Sequence, residues 1–165
     1  MLSGLPAHPL LVHFLVVLAP LTAILAVLCA LWPAARRRLV WLVLALAGVV
    51  AVLSPITTEA GEWLEHRIEE SELVEKHAAL GDTMVYFAGA LLLAAILLTV
   101  AHWRAERGNP LSGTISAVIT VVVVLASVAS AVQVYRIGHS GAQATWGDAL
   151  TSSTAGAGGG DEDGE

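Results

Sequence analysis

Charged residues avoid four long stretches of the chain. Leu10–Leu31, Leu39–Ile56, Thr83–Ala101 and Leu111–Tyr135 contain no Asp, Glu, Lys or Arg. A helix needs about 20 apolar residues to cross the hydrocarbon core of a bilayer, and each stretch is close to that length. With no water to satisfy backbone groups there, each must be helical. The pattern predicts an all-α fold, a four-helix transmembrane bundle. Leu39–Ile56 is the shortest stretch, and Ser54-Pro55 near its end predicts a kink or a break.

The connection Thr57–Asp82 between the second and third stretches has a different pattern. Trp63, Leu64, Ile68, Leu73 and Val74 recur at near-helical spacing among many Glu residues. This predicts an amphipathic outer helix, lying at the interface or extending the membrane helices. Ser71 is placed to cap a second segment, with Glu72 and Glu75 in its first turn, where negative charge favours a helix N-terminus. That segment is expected to run through His77 into the third membrane helix. Residues 1–150 read as one transmembrane domain. The tail 151–165 is rich in Gly, Ser and acid without a large apolar residue, a composition expected to be disordered.

Composition agrees with the pattern. The chain has 165 residues, 56% hydrophobic and 13% charged, whereas soluble domains average roughly 25% charged. The first stretch does not read as a secretory signal, because no Lys or Arg precedes it and its apolar run exceeds that of a signal peptide. The single cysteine, Cys29, lies within a membrane stretch and reads as a packing residue. Serines and alanines of the last helix (Ser112, Ser116, Ser127, Ser130, Ala131), with Gly89, Ala90 and Ala94 of the third, suit close helix approach.

The charges also predict which way up the chain sits. Arg36, Arg37 and Arg38 lie between the first two helices, and Arg104 and Arg107 between the last two, both in short loops. The opposite end carries thirteen of the fourteen acidic residues. The positive-inside rule then puts the arginine loops in the cytoplasm and both termini outside. Trp32, Trp41 and Trp103 fall near the cytoplasmic interface, where aromatic rings are favoured.

Candidate chemistry rests on the histidines. Five of six (His8, His13, His66, His77 and His139) lie at or near the outer end, and His102 lies at the other, where it reads as an interfacial residue. Pro9 suits the first turn of a helix, which leaves His8 at or before the cap and His13 about one turn inside. A spacing of five turns them about 140° apart on an ideal helix, so they converge only if His8 is off it. His77 precedes the third helix. His139 follows the fourth within Gly138-His139-Ser140-Gly141, where glycines permit tight turns. Imidazole suits Zn, Cu, Fe and haem iron. A site shared by His13, His77 and His139, with His8 as a further member, stands against the plainer reading of polar residues at a headgroup boundary. Glu59, Glu62 and His66 fit a solvated helix face better than a metal set.

Other chemistries are set aside. There is no HExxH, CxxC, CxxCH, Walker loop or GxGxxG, no basic surface for nucleic acid, and no charge inside a helix to form an ion path. No catalytic constellation stands out, and the chain reads as a non-catalytic redox or structural membrane protein.

Several segments resemble a known family. Leu5-Pro-Ala-His-Pro-Leu-Leu-Val-His-Phe14 is similar to the opening of the predicted membrane proteins of domain-of-unknown-function family 2231. Thr57-Thr-Glu-Ala-Gly61, Leu73-Val-Glu-Lys-His-Ala-Ala-Leu-Gly-Asp82 and Gly138-His-Ser-Gly141 also resemble it, so the likeness spans about residues 4–147. Many members have proline after the VHF element, where this chain has Leu15. The resemblance implies a four-helix protein of the bacterial inner membrane. It carries the motif histidines onto His8, His13, His77 and His139, and gives no established activity. Some relatives look joined to, or encoded with, electron-transfer modules, which favours redox by association.

These readings lead to one expectation and one rival. The expectation is an integral membrane protein, surrounded by lipid, that binds haem b or a transition-metal ion (Fe, Cu or Zn) near its outer face and serves in electron transfer. His13 with His77 or His139 would be axial ligands to haem, or His8, His13, His77 and His139 would supply the ligands of an ion. A redox partner, a role as a membrane-complex subunit and a homo-oligomer all fit. The rival is a scaffold that docks a partner through its Glu-rich outer helix. A small transporter or channel is a weaker third reading, because the helices lack polar midplane residues.

Overall fold

The computed structural model describes residues 7–67 and 71–156. Its elements are α1 (Ala7–Leu31), α2 (Pro33–Glu65), α3 (Glu72–Asp82), α4 (Met84–Glu106) and α5 (Gly113–Gly156). No strand occurs among the described residues. The helices built on the four uncharged stretches, α1, α2, α4 and α5, are long and apolar enough to cross a membrane. They form a ring in which α1 and α4 each pack against both α2 and α5, while α3 leans on α5 and α2.

Two expectations about the helix ends change. The helix is not broken at Ser54-Pro55, because α2 runs on through Pro55 to Glu65. Proline removes one backbone bond, and membrane helices tolerate this where neighbours pack against them; Ser54 and Thr57 on either side are buried. Nor does the chain turn at Gly138-His139-Ser140-Gly141. The segment is helical, and with no proline anywhere in α5 the helix continues past residue 150 to Gly156. The remainder of the acidic tail, 157–165, lies outside the described residues, as does Ile68.

The outer connection is therefore two pieces of helix, the end of α2 and the separate α3. The Ser71 side chain accepts a hydrogen bond from the amide of Val74 at 3.2 Å and caps α3. The run into α4 is interrupted by a single turn at Thr83.

The interior is rich in small residues, interleaved with large ones such as Met84, Leu91, Leu98 and Val43, and the outside carries mostly large ones. Ala19, Ala23, Ala26, Ala47, Ala88, Ala94 and Ala95 are buried, with Ser127, Ser130 and Thr22. Val17, Ile24, Leu125 and Val128 are exposed. Helices that pack in lipid gain little from burying Leu rather than exposing it, and approach closely on small side chains. Ser130 also bonds across helices, its hydroxyl lying 3.2 Å from the carbonyl of Phe87 and 2.8 Å from that of Ala126. Of the small residues singled out in the sequence, Ser127, Ser130 and Ala94 are buried at these contacts, whereas Gly89 and Ala90 are exposed.

Candidate functional site

The start of α1, the end of α2, α3 and the later part of α5 enclose a cleft of about 600 Å³. Val12, Leu64, Val74 and Ile137 supply apolar wall, and His8, His13 and His77 line it with Glu62, Glu65 and Asp82. Volumes of roughly 300–1,000 Å³ with apolar walls and a few polar groups are usual for cofactor sites.

His8 and His77 form a pair, with ring centroids 6.4 Å apart and planes at 82°. Each ring is fixed at Nδ1. His8 Nδ1 lies 2.9 Å from the Thr57 carbonyl oxygen, which can only accept, so Nδ1 carries the proton. His77 Nδ1 lies 3.0 Å from Ser140 Oγ. The one hydroxyl hydrogen of Ser140 goes to the Ile137 carbonyl at 2.9 Å, so Ser140 accepts from His77. In the neutral ring this tautomer has its lone pair on Nε2, and among the described residues neither Nε2 has a hydrogen-bond partner.

Glycine makes room for both rings. A Cβ on Gly61 of α2 would sit 3.0 Å from His8 Cε1, and one on Gly141 of α5 would sit 2.9 Å from His77 Cε1. The expectation that the α5 glycines provide a tight turn gives way to a different role. Gly141 is a seat for His77 on a continuous helix.

The histidines expected to gather do so only in part. His8, in the first turn of α1 and so on the helix, joins His77. His13, on the same helix, diverges from His8 as its spacing requires. It lines the cleft, is exposed, and bonds through Nδ1 to the Pro9 carbonyl of its own turn. His139 does not line the cleft; it is exposed on α5, beside Tyr135 with ring centroids 6.1 Å apart. His66 is exposed and bonds to the Glu62 carbonyl of its own helix. Among the described residues no three His, Cys, Asp or Glu side chains gather closely enough to hold a metal ion by themselves.

Electrostatics favours neutral imidazole at His77. Burial pushes its pKa below the ordinary histidine value and neighbouring His8 lowers it further, while the Ile137 carbonyl and the Glu65 carboxylate act in the opposite direction.

One supporting residue escapes a reading by motif. Gln133 of α5 is buried and donates through Nε2 to the Leu80 carbonyl at 3.2 Å and to Thr83 Oγ1 at 2.6 Å. It ties the α3–α4 junction to α5 and so holds His77 over Gly141. The available signal was the single amide side chain within the uncharged stretch Leu111–Tyr135, since polar groups at membrane depth mark sites of importance.

Fold and cleft together define a four-helix integral membrane protein whose polar machinery collects at one end of the bundle. The chain matches the family described as predicted membrane protein (DUF2231) over residues 4–154, and it belongs to that family. No curated protein and no solved structure matches it.

Proposed function

We propose that the cleft holds a metal centre, with Nε2 of His8 and Nε2 of His77 as the protein's ligands, and that the protein serves in electron transfer. The observation that supports this most is the pairing of two imidazoles from separate helices. Each gives its Nδ1–H to a protein oxygen and turns its other nitrogen free. Metal-binding histidines characteristically have such a partner on the second nitrogen. Metal–nitrogen bonds of about 2 Å put two imidazoles on one metal within about 6 to 6.5 Å, centroid to centroid. The 6.4 Å separation lies within that reach.

The donor set favours haem b over a bare ion. Structural zinc sites take four protein ligands, and no group of three potential ligands is present among the described residues. A haem carries most of its iron ligands itself and would need only one or two from the protein. When bound, it would supply one-electron chemistry. The chain's own part is to orient two imidazoles, favour the neutral form of His77 and wall the cleft with apolar side chains. His13 would stand at the rim of the site.

The arginine loops support a cytoplasmic position for the opposite end, which puts this cleft on the outer side of a bacterial inner membrane. Exposed Glu59, Glu62, Glu72 and Glu75 favour a second reading, a scaffold that docks a basic partner on the same end. Absorbance separates the two. Protein purified after expression with ample haem and iron is scanned oxidised and after dithionite, with elemental analysis of the same sample. A Soret band and a sharp reduced α-band are expected. A stoichiometric metal without them replaces haem by an ion. Neither chromophore nor metal would leave the scaffold.

A further inference from the structure

A second cavity, of about 360 Å³, lies at the arginine end, away from the histidine cleft. Arg36 and Arg37 of α2, His102 and Glu106 of α4, and Ser116 of α5 line it. We propose that it binds a phosphate group, the headgroup phosphate of an anionic lipid or free phosphate.

Three independent features point to this chemistry. Two successive arginines line one half-open space, and arginine matches phosphate in charge and in the geometry of its donors. The cavity also opens beside the N-terminus of α2. The capping position is Trp32, which supplies no side-chain acceptor, and the first turn holds no acid. The helix dipole favours an anion there. Finally, Trp32, Trp41 and Trp103 ring this end and are 59%, 56% and 44% exposed. Such aromatic belts sit at headgroup level, so the cavity stands at the depth where lipid phosphates are found. Basic pockets between membrane helices are a recurrent way of holding them.

Glu106 is the one acid among the lining residues, and it opposes an anion. Its carboxylate is engaged by Nε2 of His102 at 3.3 Å, and His102 is buried at 6% exposure. Arg38 and Arg107 do not line the cavity, and Arg107 lies over the Trp103 ring at 3.9 Å. They provide a control of equal charge.

The test is native mass spectrometry of the full-length protein with equal amounts of phosphatidylglycerol and phosphatidylcholine, beside calorimetry with inorganic phosphate in detergent. Preferential retention of phosphatidylglycerol is expected. Arg36→Gln with Arg37→Gln should lower it about thirtyfold, from about one kilocalorie for each arginine near anionic lipid. Arg38→Gln with Arg107→Gln should leave most of it. Ala105→Phe, which fills the cavity and keeps both arginines, should also abolish retention, and covers the case in which the double arginine variant does not fold. Binding of inorganic phosphate with the same dependence on Arg36 and Arg37, without lipid preference, assigns the site to free phosphate. Equal loss in both arginine doubles, retention undiminished in Ala105→Phe, or no binding of either probe would overturn the proposal.

Discussion

His8 and His77 are fixed by oxygens that carry no charge, the Thr57 carbonyl and the Ser140 hydroxyl, and by the absence of a side chain on Gly61 and Gly141. This gives the glycines a testable signature. Gly141→Ala puts a methyl group 2.9 Å from the His77 ring, and Gly61→Ala puts one 3.0 Å from the His8 ring. The ring is the movable end of its side chain, so it swings away. Alanine also gains up to about 1 kcal/mol over glycine in a helix interior. Thermal unfolding in detergent should therefore shift little, while the Nδ1 bond and any bound metal are lost. Gly48→Ala and Gly89→Ala, with nothing within 4 Å of the added Cβ, should leave both properties intact. The four motif histidines could be picked out from sequence, but their grouping could not. That His139 points away and His8 points in depends on the rotation of α5 and α1 about their axes, and alternating small and apolar residues on both faces leave that rotation unmarked.

Among the elements, α3 is the most weakly held, since it buries no residue completely and depends on its cap and on Gln133. Gln133→Leu removes the α5 donor to Thr83 Oγ1 and to the Leu80 carbonyl, which keeps the Thr83 hydroxyl at 2.7 Å. Loss of such hydrogen bonds costs about 0.5–1.5 kcal/mol each, and faster hydrogen exchange across residues 72–82 should report it. Ser71→Ala should cost about 1 kcal/mol through the lost cap. His77 adds a pH dependence. Its pKa is lower in the folded protein than the ordinary 6.5, so above that value the two states hold the same number of protons and nothing changes. As pH falls below it, the unfolded chain takes up the proton first, and the docking of α3 weakens toward acid. In His77→Gln that acid-side loss should be smaller. The cap at Ser71 was legible because Ser followed by acids is a local signal. The division of the outer helix into an extension of α2 and a separate α3 was less so, because proline at 55 reads locally as an end while the packing of α2 carries the helix past it.

At the scale of the whole molecule, four uncharged stretches between charged turns were enough to read the bundle and to place the two chemically different ends. What composition could not supply is which helices adjoin. With Ala and Ser inside and Val and Leu outside, there is little amphipathic contrast to orient a helix, and the ring order comes from close packing of small side chains. The placement of the ends is tested by replacing Cys29 with Ala and introducing single cysteines at Ser112, just before α5, and Gln143, in its later part, both exposed. An impermeant maleimide added to intact cells should label the second and spare the first. Labelling of Ser112→Cys alone would reverse the assigned orientation without affecting the cleft. A centre in the cleft requires His8 and His77 to act as one ligand pair. The most direct measurement is the reduced-minus-oxidised spectrum and metal content of His8→Ala and His77→Ala beside His139→Ala. Each of the first two should lose the α-band or the metal, while His139→Ala retains it. A centre that survives both His8→Ala and His77→Ala, or that depends on His139 instead, would contradict the pairing.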